Sequence, residues 1–429
     1  MIAAAVTWLI PAGEYQRTVD EATGRTIAVA GTYRQVPQEP VGPFEVAVAI
    51  PRGFVEGADV IATILFVGAA FFLVDRVGTL GRLLGALIKS LGSRGLLAIP
   101  LVALFFGTMG ALENMQEEVV ALVPVLLVFG RRIGVDAVTV VAAAAGAAVV
   151  GSAFGPTNPF QAGIALTLAE LPVLQGGGLR LAMWIVGMAV WIGWTLRYAA
   201  THRVPIEAAP LDVSSDVTAR DVAIVACVLI PLAAYVIGAL RFGWGFNELS
   251  GAFIVGSICV GIIARLGVSG TTVALLDGMQ AMLPAALLVG LARSIALVLA
   301  DGKVIDTILF SLAQPLGQVP PAVSALLMVP AQAAIHVPVP SVSGQAALTM
   351  PVLIPLSDLI GLSRQVTVLA YQTGAGLMDM LTPTNGALLA VLLAAGVPYQ
   401  RWLRFAVGGW ALTTLVGVAG ILAALAIGL

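Results

Sequence analysis

From Ala137 to Ala169 the chain carries no charged side chain, yet the middle of that run reads "FGPTNPF", residues 154–160. An uncharged apolar run of this length belongs in hydrocarbon or in a deep core. Gly155, Pro156 and Pro159 break helices, and Thr157 and Asn158 bring polar groups to the break. In lipid every backbone polar group must be satisfied internally. Broken backbone is therefore tolerated at membrane depth only where protein or a wet cavity surrounds it. A chain that breaks itself there must fold other segments around the break.

Composition fixes the compartment. Of 429 residues 59% are hydrophobic and 10% charged, with a mean hydropathy of +1.01. A soluble domain carries about 25% charged residues, so this chain reads as an all-α polytopic membrane protein in the lipid bilayer. A net charge of −2 argues against a nucleic-acid partner. Cys227 and Cys259 lie in apolar blocks at no metal or redox spacing and read as small core residues.

The first block, "MIAAAVTWLIP", is too short to span and reads as the end of a helix whose start is missing. A polar, turn-rich segment follows from Gly13 to about Arg52. Spans are expected near 57–76, 137–172 (broken), 179–199, 221–241, 247–265, 281–300, 364–396 (broken) and 402–428. Two apolar segments, 94–131 and 320–361, are divided by polar turns, "ENMQEE" at 113–118 and "PSVSGQ" at 340–345. Each reads as a re-entrant hairpin, preceded by an amphipathic stretch at 79–91 and 303–316. Lys and Arg in short loops set orientation. Arg76, Arg82, Lys89, Arg94, Arg131, Arg132, Arg197, Arg203, Arg220, Arg401 and Arg404 share one side if the N-terminus is cytoplasmic. The hairpins then enter from opposite faces of a prokaryotic cytoplasmic membrane.

The segment repeats. Setting Pro124 under Pro351, an offset of 351 − 124 = 227, aligns "PVLLVFGRRIGVDAVTVVAAAAGAAVVGSAFGPTN" with "PVLIPLSDLIGLSRQVTVLAYQTGAGLMDMLTPTN" without a gap, with eleven identities in 35 positions. Gly134 meets Gly361, and Pro-Thr-Asn closes both copies at 156–158 and 383–385. Each half thus holds a hairpin followed by a broken helix, the pattern of an inverted-repeat secondary transporter. In that pattern Thr and Asn supply hydroxyl and amide ligands for a cation or substrate, and the breaks release carbonyls.

An ionisable residue at membrane depth costs roughly 2.5–3.5 kcal/mol even on the lenient scale and marks function by default. Glu113, Glu117, Glu118, Arg293, His336 and Asp379 are the cases. Asp379 lies inside the second break, where Ser152 sits in the first. A site rimmed by these carboxylates suits an amino group, a guanidinium, Na+ or an exchangeable proton. Arg293 is the counter-evidence, being able to receive a substrate carboxylate; its bland reading is a structural ion pair or a snorkelling side chain. His336 reads first as a packed histidine.

"TWLIPAGEY", "NPFQAGIALTLAELP", "SGQAALTMPVLIPLSDLIGLSRQVTVLAYQ" and "PTNGALLAVLLAAGVPYQRWLRF" resemble the anaerobic C4-dicarboxylate carrier family of the DcuC/YfcC kind. That family also includes proteins named as basic amino acid antiporters and belongs to the ion transporter superfamily. The resemblance implies an elevator: a dimerising scaffold, hence a homodimer, and a moving transport domain. It divides the chain into scaffold helices with an extracytoplasmic loop (1–93), the first hairpin and broken helix (94–172), scaffold with a cytoplasmic loop at 200–220 (173–319), the second hairpin and broken helix (320–396) and a last helix (397–429). The family's hairpin tips map onto Glu117, Glu118, Ser341, Ser343, Gly344 and Gln345. Its unwound segments map onto Ser152 to Asn158 and Asp379 to Asn385. Substrate contacts are expected from the tips with Asn158, Asp379 and Asn385, and ion contacts from Ser152, Thr157, Asn158, Thr384 and Asn385. The first tip departs from the family's shorter "GMAEE", reading "GALENMQEE".

The leading expectation is a secondary transporter of a small molecule, an amino acid of cationic or zwitterionic kind, working by exchange or cation coupling. The alternative is a Na+-coupled C4-dicarboxylate carrier, and a channel is a more distant one. No cofactor is expected beyond Na+ or H+ coupling, and no metal beyond Na+. The chain has no nucleophile elbow, zinc motif or phosphate loop, and neither His202 nor His336 makes a persuasive base, so it reads as no enzyme.

Overall fold

The computed structural model describes residues 2–19, 26–79, 82–83, 86, 96–156, 158–172, 175–206, 217–242 and 244–429. Thr157, Lys89, Arg94 and most of the amphipathic stretch 79–91 lie outside the described residues, as does the side chain of Glu113.

The first helix, α1 (Ile2–Leu9), leads into the polar segment. The chain is mostly helical, and this segment adds two short β-ribbons. β1 (Gly13–Glu14) pairs antiparallel with β4 (Arg34–Gln35), and β2 (Arg17–Val19) with β3 (Thr26–Ala28), in the registers Gly13↔Gln35 and Arg17↔Ala28. Thr18, Val19, Thr26 and Ile27 suit extended backbone. The ribbons are tied down by Asp306, which accepts from the Tyr15 N–H (2.8 Å) and from Arg17 (2.7 Å). Helices follow: α2 (Pro43–Glu56), α3 (Ala58–Arg76), α4 (Ala98–Glu113), α5 (Val119–Ile133), α6 (Ala137–Phe154), α7 (Ile164–Leu168), α8 (Gly177–Thr201), α9 (Ala219–Phe242), α10 (Phe246–Ile263) and α11 (Gly267–Asp301). Then come α12 (Ile305–Ala313), α13 (Pro321–His336), α14 (Val342–Leu359), α15 (Arg364–Tyr371), α16 (Gly386–Ala394) and α17 (Tyr399–Ile427). Six described helices are long and apolar enough to cross a membrane: α3, α6, α8, α10, α11 and α17. α11 starts well before the expected 281, because no strong breaker precedes Pro284. α4 and α13 have 16 residues each, about 24 Å at 1.5 Å per residue and short of a ~30 Å hydrocarbon core.

The repeat survives at the level of caps. Gly134 and Gly361 both take φ of +73°, the left-handed conformation that ends a helix cheaply only with glycine. Two residues on, Asp136 accepts from the Thr139 N–H and Ser363 from the Gln365 N–H, starting α6 and α15. Asn158 and Asn385 then cap the helices that resume after each break. Both arms carry a π turn, Ala142–Gly146 and Gln372–Gly376.

Packing separates two apolar clusters. The larger gathers the helix pairs α4/α5 and α13/α14 and both arms, together with α8, α17 and parts of α3 (Val60, Ile64) and α11 (Met282, Ala286, Val289). The smaller gathers α3, α9 and α10, and α11 runs along α2 and α3. α8 packs on the arms, where Trp191 lies against Gly146 and Gly409. Small residues let α4 and α6 nearly touch: a Cβ on Gly151 would sit 1.9 Å from the Gly107 carbonyl, and one on Gly110 2.1 Å from that of Ala148. This crossing sets the first break against the turn that follows α4.

The carbonyls loosened by π turns and breaks find side-chain donors. Trp191 Nε1 donates to Ala142 O (2.9 Å), Trp402 Nε1 to Met380 O (2.8 Å) and the Tyr399 hydroxyl to Leu381 O. Trp402→Phe removes one donor and is expected to cost about 1–3 kcal/mol, the penalty for stranding a buried polar group, read as a lower apparent Tm in detergent. Gly151→Val is expected to lower stability by about 1–3 kcal/mol by overpacking the crossing. Gly193→Ala, where an added Cβ meets nothing within 4 Å, leaves Tm unchanged or slightly raised.

Candidate substrate site

The second break is the most polar place in the core. α15 unwinds after its π turn, and Asp379 falls in the turn that follows, with only 4% of its surface exposed. The backbone holds its partners in place. Asn385 Oδ1 accepts from the Leu388 N–H (3.0 Å) to start α16, which leaves Nδ2 to donate to Asp379 Oδ1 (2.7 Å). From the turn after α4, Gln116 Nε2 donates to Asp379 Oδ2 (2.9 Å). From the end of α13, His336 Nε2 lies 2.8 Å from Asp379 Oδ1. Its Nδ1 meets Gln345 Oε1 at 2.7 Å, and Gln345 Nε2 donates to the backbone and side-chain oxygens of Gln332 (2.7 and 2.6 Å).

The first break carries the same plan in neutral groups. Asn158 Oδ1 accepts from the Phe160 and Gln161 N–H groups (2.9 and 3.0 Å), and its Nδ2 donates to Ser152 Oγ (2.9 Å) and Gly110 O (3.0 Å). Ser152 in turn bonds Asn114 and Gln161. Gln372 Nε2 donates to Ala153 O (3.1 Å), while the buried Arg180 donates to Gln372 Oε1 (2.7 Å) and Gln365 Oε1 (2.9 Å). The arms are thus stitched together beneath the breaks.

One cavity of about 340 Å3 opens where the tips meet the second break. Of the residues expected at the site, Glu117, Glu118, Ser341, Ser343, Asp379, Thr384 and Asn385 line it. Gln345 stands one layer behind, and Gly344 donates its N–H to Ser341 Oγ at the start of α14. The tip is therefore shorter than the expected 340–345, since Ser341 caps a helix that already contains Gly344 and Gln345. Ser152 and Asn158 are buried in the first-break network, away from the cavity lining. The oxygens of Ser152, Asn158 and Asn385 already serve protein hydrogen bonds, and the Thr384 hydroxyl donates to Val337 O (2.6 Å).

The opposite wall comes from residues that the sequence reading passed over: Asp59 on α3, Asn247 and Glu248 on α10, and Tyr235 on α9. Asp59 and Glu248 look like ordinary first-turn acids; Glu248 does bond the Gly245 N–H (2.8 Å). Asn114 and Gln116, both within the quoted "ENMQEE", line it too. Arg293 on α11 completes the wall. Among the described residues its guanidinium has no carboxylate within 4.0 Å, so the structural ion pair entertained for it is not formed. Five carboxyl groups and one guanidinium therefore share one cavity. A molecule with both a carboxylate and a cationic group finds charge-assisted partners for each.

The comparisons with known proteins agree with a carrier. The DcuC family, described as C4-dicarboxylate anaerobic carriers, matches residues 1–426. The Escherichia coli (strain K12) protein YfcC, whose name proposes a basic amino acid antiporter, is 34% identical over 373 residues, 80% of this chain and 73% of that one. An uncharacterised Haemophilus influenzae (Rd KW20) protein is 28% identical over 402 residues, 89% of this chain and 78% of that one. Among solved structures, the Alcanivorax borkumensis YdaH transporter is similar at TM-score 0.45 and 17% identity, covering 100% of this chain and 96% of that one, too distant to carry an argument. With its membrane-length helices and a match along nearly its whole length, the chain belongs to the DcuC family of membrane carriers.

Proposed function

We propose that the protein is a secondary active transporter of amino acids, cationic or zwitterionic, working by exchange or cation coupling in a prokaryotic cytoplasmic membrane. The observation that carries this reading is the cavity wall: Arg293, in no salt bridge among the described residues, on one side, and Asp59, Glu117, Glu118, Glu248 and Asp379 around it. Its ~340 Å3 lies within the ordinary range of small-ligand pockets, about 300–1,000 Å3. Arg293 takes the α-carboxylate and the carboxyl groups take the amino group and a cationic side chain. The printed name of the YfcC relative, basic amino acid antiporter, points the same way.

The arms, both helix pairs, α8 and α17 form the moving unit in this reading, and α2, α3 and α9 to α11 the scaffold of a homodimer. The helix pairs enter as re-entrant hairpins from opposite faces with the N-terminus inside. A second reading, a Na+-coupled C4-dicarboxylate carrier, is favoured by the family's description and by Arg293 as an anion partner.

Uptake of labelled arginine into proteoliposomes separates the two. Unlabelled arginine, ornithine and neutral amino acids compete, and succinate does not; no uptake of labelled arginine, with Na+-dependent uptake of labelled succinate, establishes the dicarboxylate reading instead. Arg293→Gln is expected to weaken arginine binding about tenfold to a hundredfold, the value of a charge-assisted hydrogen bond. It leaves the affinity for agmatine, which lacks the carboxylate, unchanged. Equal losses for both ligands contradict the assignment of Arg293.

A further inference from the structure

The hydrogen bonds around His336 run in one direction, and the backbone fixes that direction. Gln345 sets its amide nitrogen against the Gln332 backbone carbonyl (2.7 Å), so the oxygen it turns to His336 Nδ1 is an acceptor. Nδ1 therefore carries a hydrogen. On the other side, Asn385 is held by the Leu388 N–H so that its Nδ2 donates to Asp379 Oδ1. Gln116 Nε2 donates to the second carboxyl oxygen. With Nδ1 already a donor, His336 Nε2 and Asp379 Oδ1, 2.8 Å apart, both present lone pairs unless one proton lies between them. His336 is fully buried and Asp379 nearly so. Holding that proton, the pair is neutral overall; without it, a buried negative charge faces a nitrogen lone pair.

We infer that the His336–Asp379 pair is a proton site, and that a cationic substrate entering the cavity beside Asp379 exchanges with this proton one for one. The inference rests on the amino-acid reading of the same cavity and names its coupling ion. Asp379 is the member that lines the cavity. As a substrate ammonium or guanidinium approaches its carboxylate, the proton on Nε2 passes through Oδ1 to cavity water. His336 is left neutral, still donating through Nδ1 to Gln345. One cation enters and one proton leaves, so the charge of the site is conserved. Asp59, Glu117, Glu118, Glu248 and Arg293 line the same cavity as Asp379. On the elements packed against α13, Asp358 is bound to Arg364, Asp306 to Arg17 and Arg401 to Asp136; Arg404 is exposed, and the Tyr371 and Tyr399 hydroxyls donate to Val342 O and Leu381 O. The first break has no counterpart: Met109 and Ser152 stand at the positions matching His336 and Asp379, since 336 − 227 = 109 and 379 − 227 = 152.

The test uses the purified full chain in Na+-free buffer. Titration calorimetry of L-arginine in buffers of different ionisation enthalpy is expected to show about one proton released per arginine bound near neutral pH. In proteoliposomes carrying a trapped pH dye, arginine uptake makes the lumen more alkaline. His336→Gln loses the proton released per arginine bound, the pH change and pH-driven accumulation. Arginine binding with no proton release, uptake that requires Na+, or a His336→Gln protein that still moves protons overturns the inference. If His336→Gln does not fold, the wild-type calorimetry decides alone. No arginine binding at all removes the amino-acid reading beneath it, a result distinct from binding without proton release.

Discussion

A peptide group in hydrocarbon has no water to turn to, and each of the two broken arms leaves several such groups without a helical partner. Much of the surrounding architecture answers that need. Trp191 reaches Ala142 O from α8, and Trp402 and Tyr399 reach Met380 O and Leu381 O from α17. Asn158 and Asn385 restart the helices and spend their second amide atoms on the neighbouring turn. Because α8 and α17 supply these donors, they are committed to the arms, which explains why they leave the cluster built on α3, α9 and α10.

The two halves are built to one plan and put to different use. At equivalent positions the first break has Ser152 with Asn158 and the second Asp379 with Asn385, and in each the Asn Nδ2 reaches across six residues to its partner (2.9 and 2.7 Å). The first is closed into a neutral knot with Asn114 and Gln161, while the second is ionisable and opens on the cavity. A serine knot holds shape at little electrostatic cost. A carboxylate at the same place needs a cation, a proton or donors around it, and so can exchange them.

What the sequence made legible was local. Gly134 and Gly361, the caps two residues after them and the repeated Pro-Thr-Asn carry their geometry in neighbouring residues, so an ungapped offset of 227 finds them. The acid at 379 stood out because nothing else near it is charged. Arg293 stood out as a charge at membrane depth, but Asp59 and Glu248 did not stand out as cavity residues, since α3 and α10 meet the tips only through tertiary packing. His336 and Asp379 are 43 residues apart, and their contact requires the end of α13 to lie against the unwound arm. A lone histidine beside Pro-Val-Pro carries no local trace of that. The β-ribbons between α1 and α2 were missed for a similar reason: strands of two or three residues have too little alternation to read, and Asp306 holds them from far along the chain.

In the proposed function, tips and second break build one cavity that holds an amino acid between Arg293 and Asp379. An experimental density map of the protein prepared with saturating L-arginine tests it most directly. Ligand density is expected in this cavity, with the carboxylate on Arg293 and a cationic group on Asp379. An empty cavity with arginine bound elsewhere, or the reverse orientation in the cavity, would contradict it.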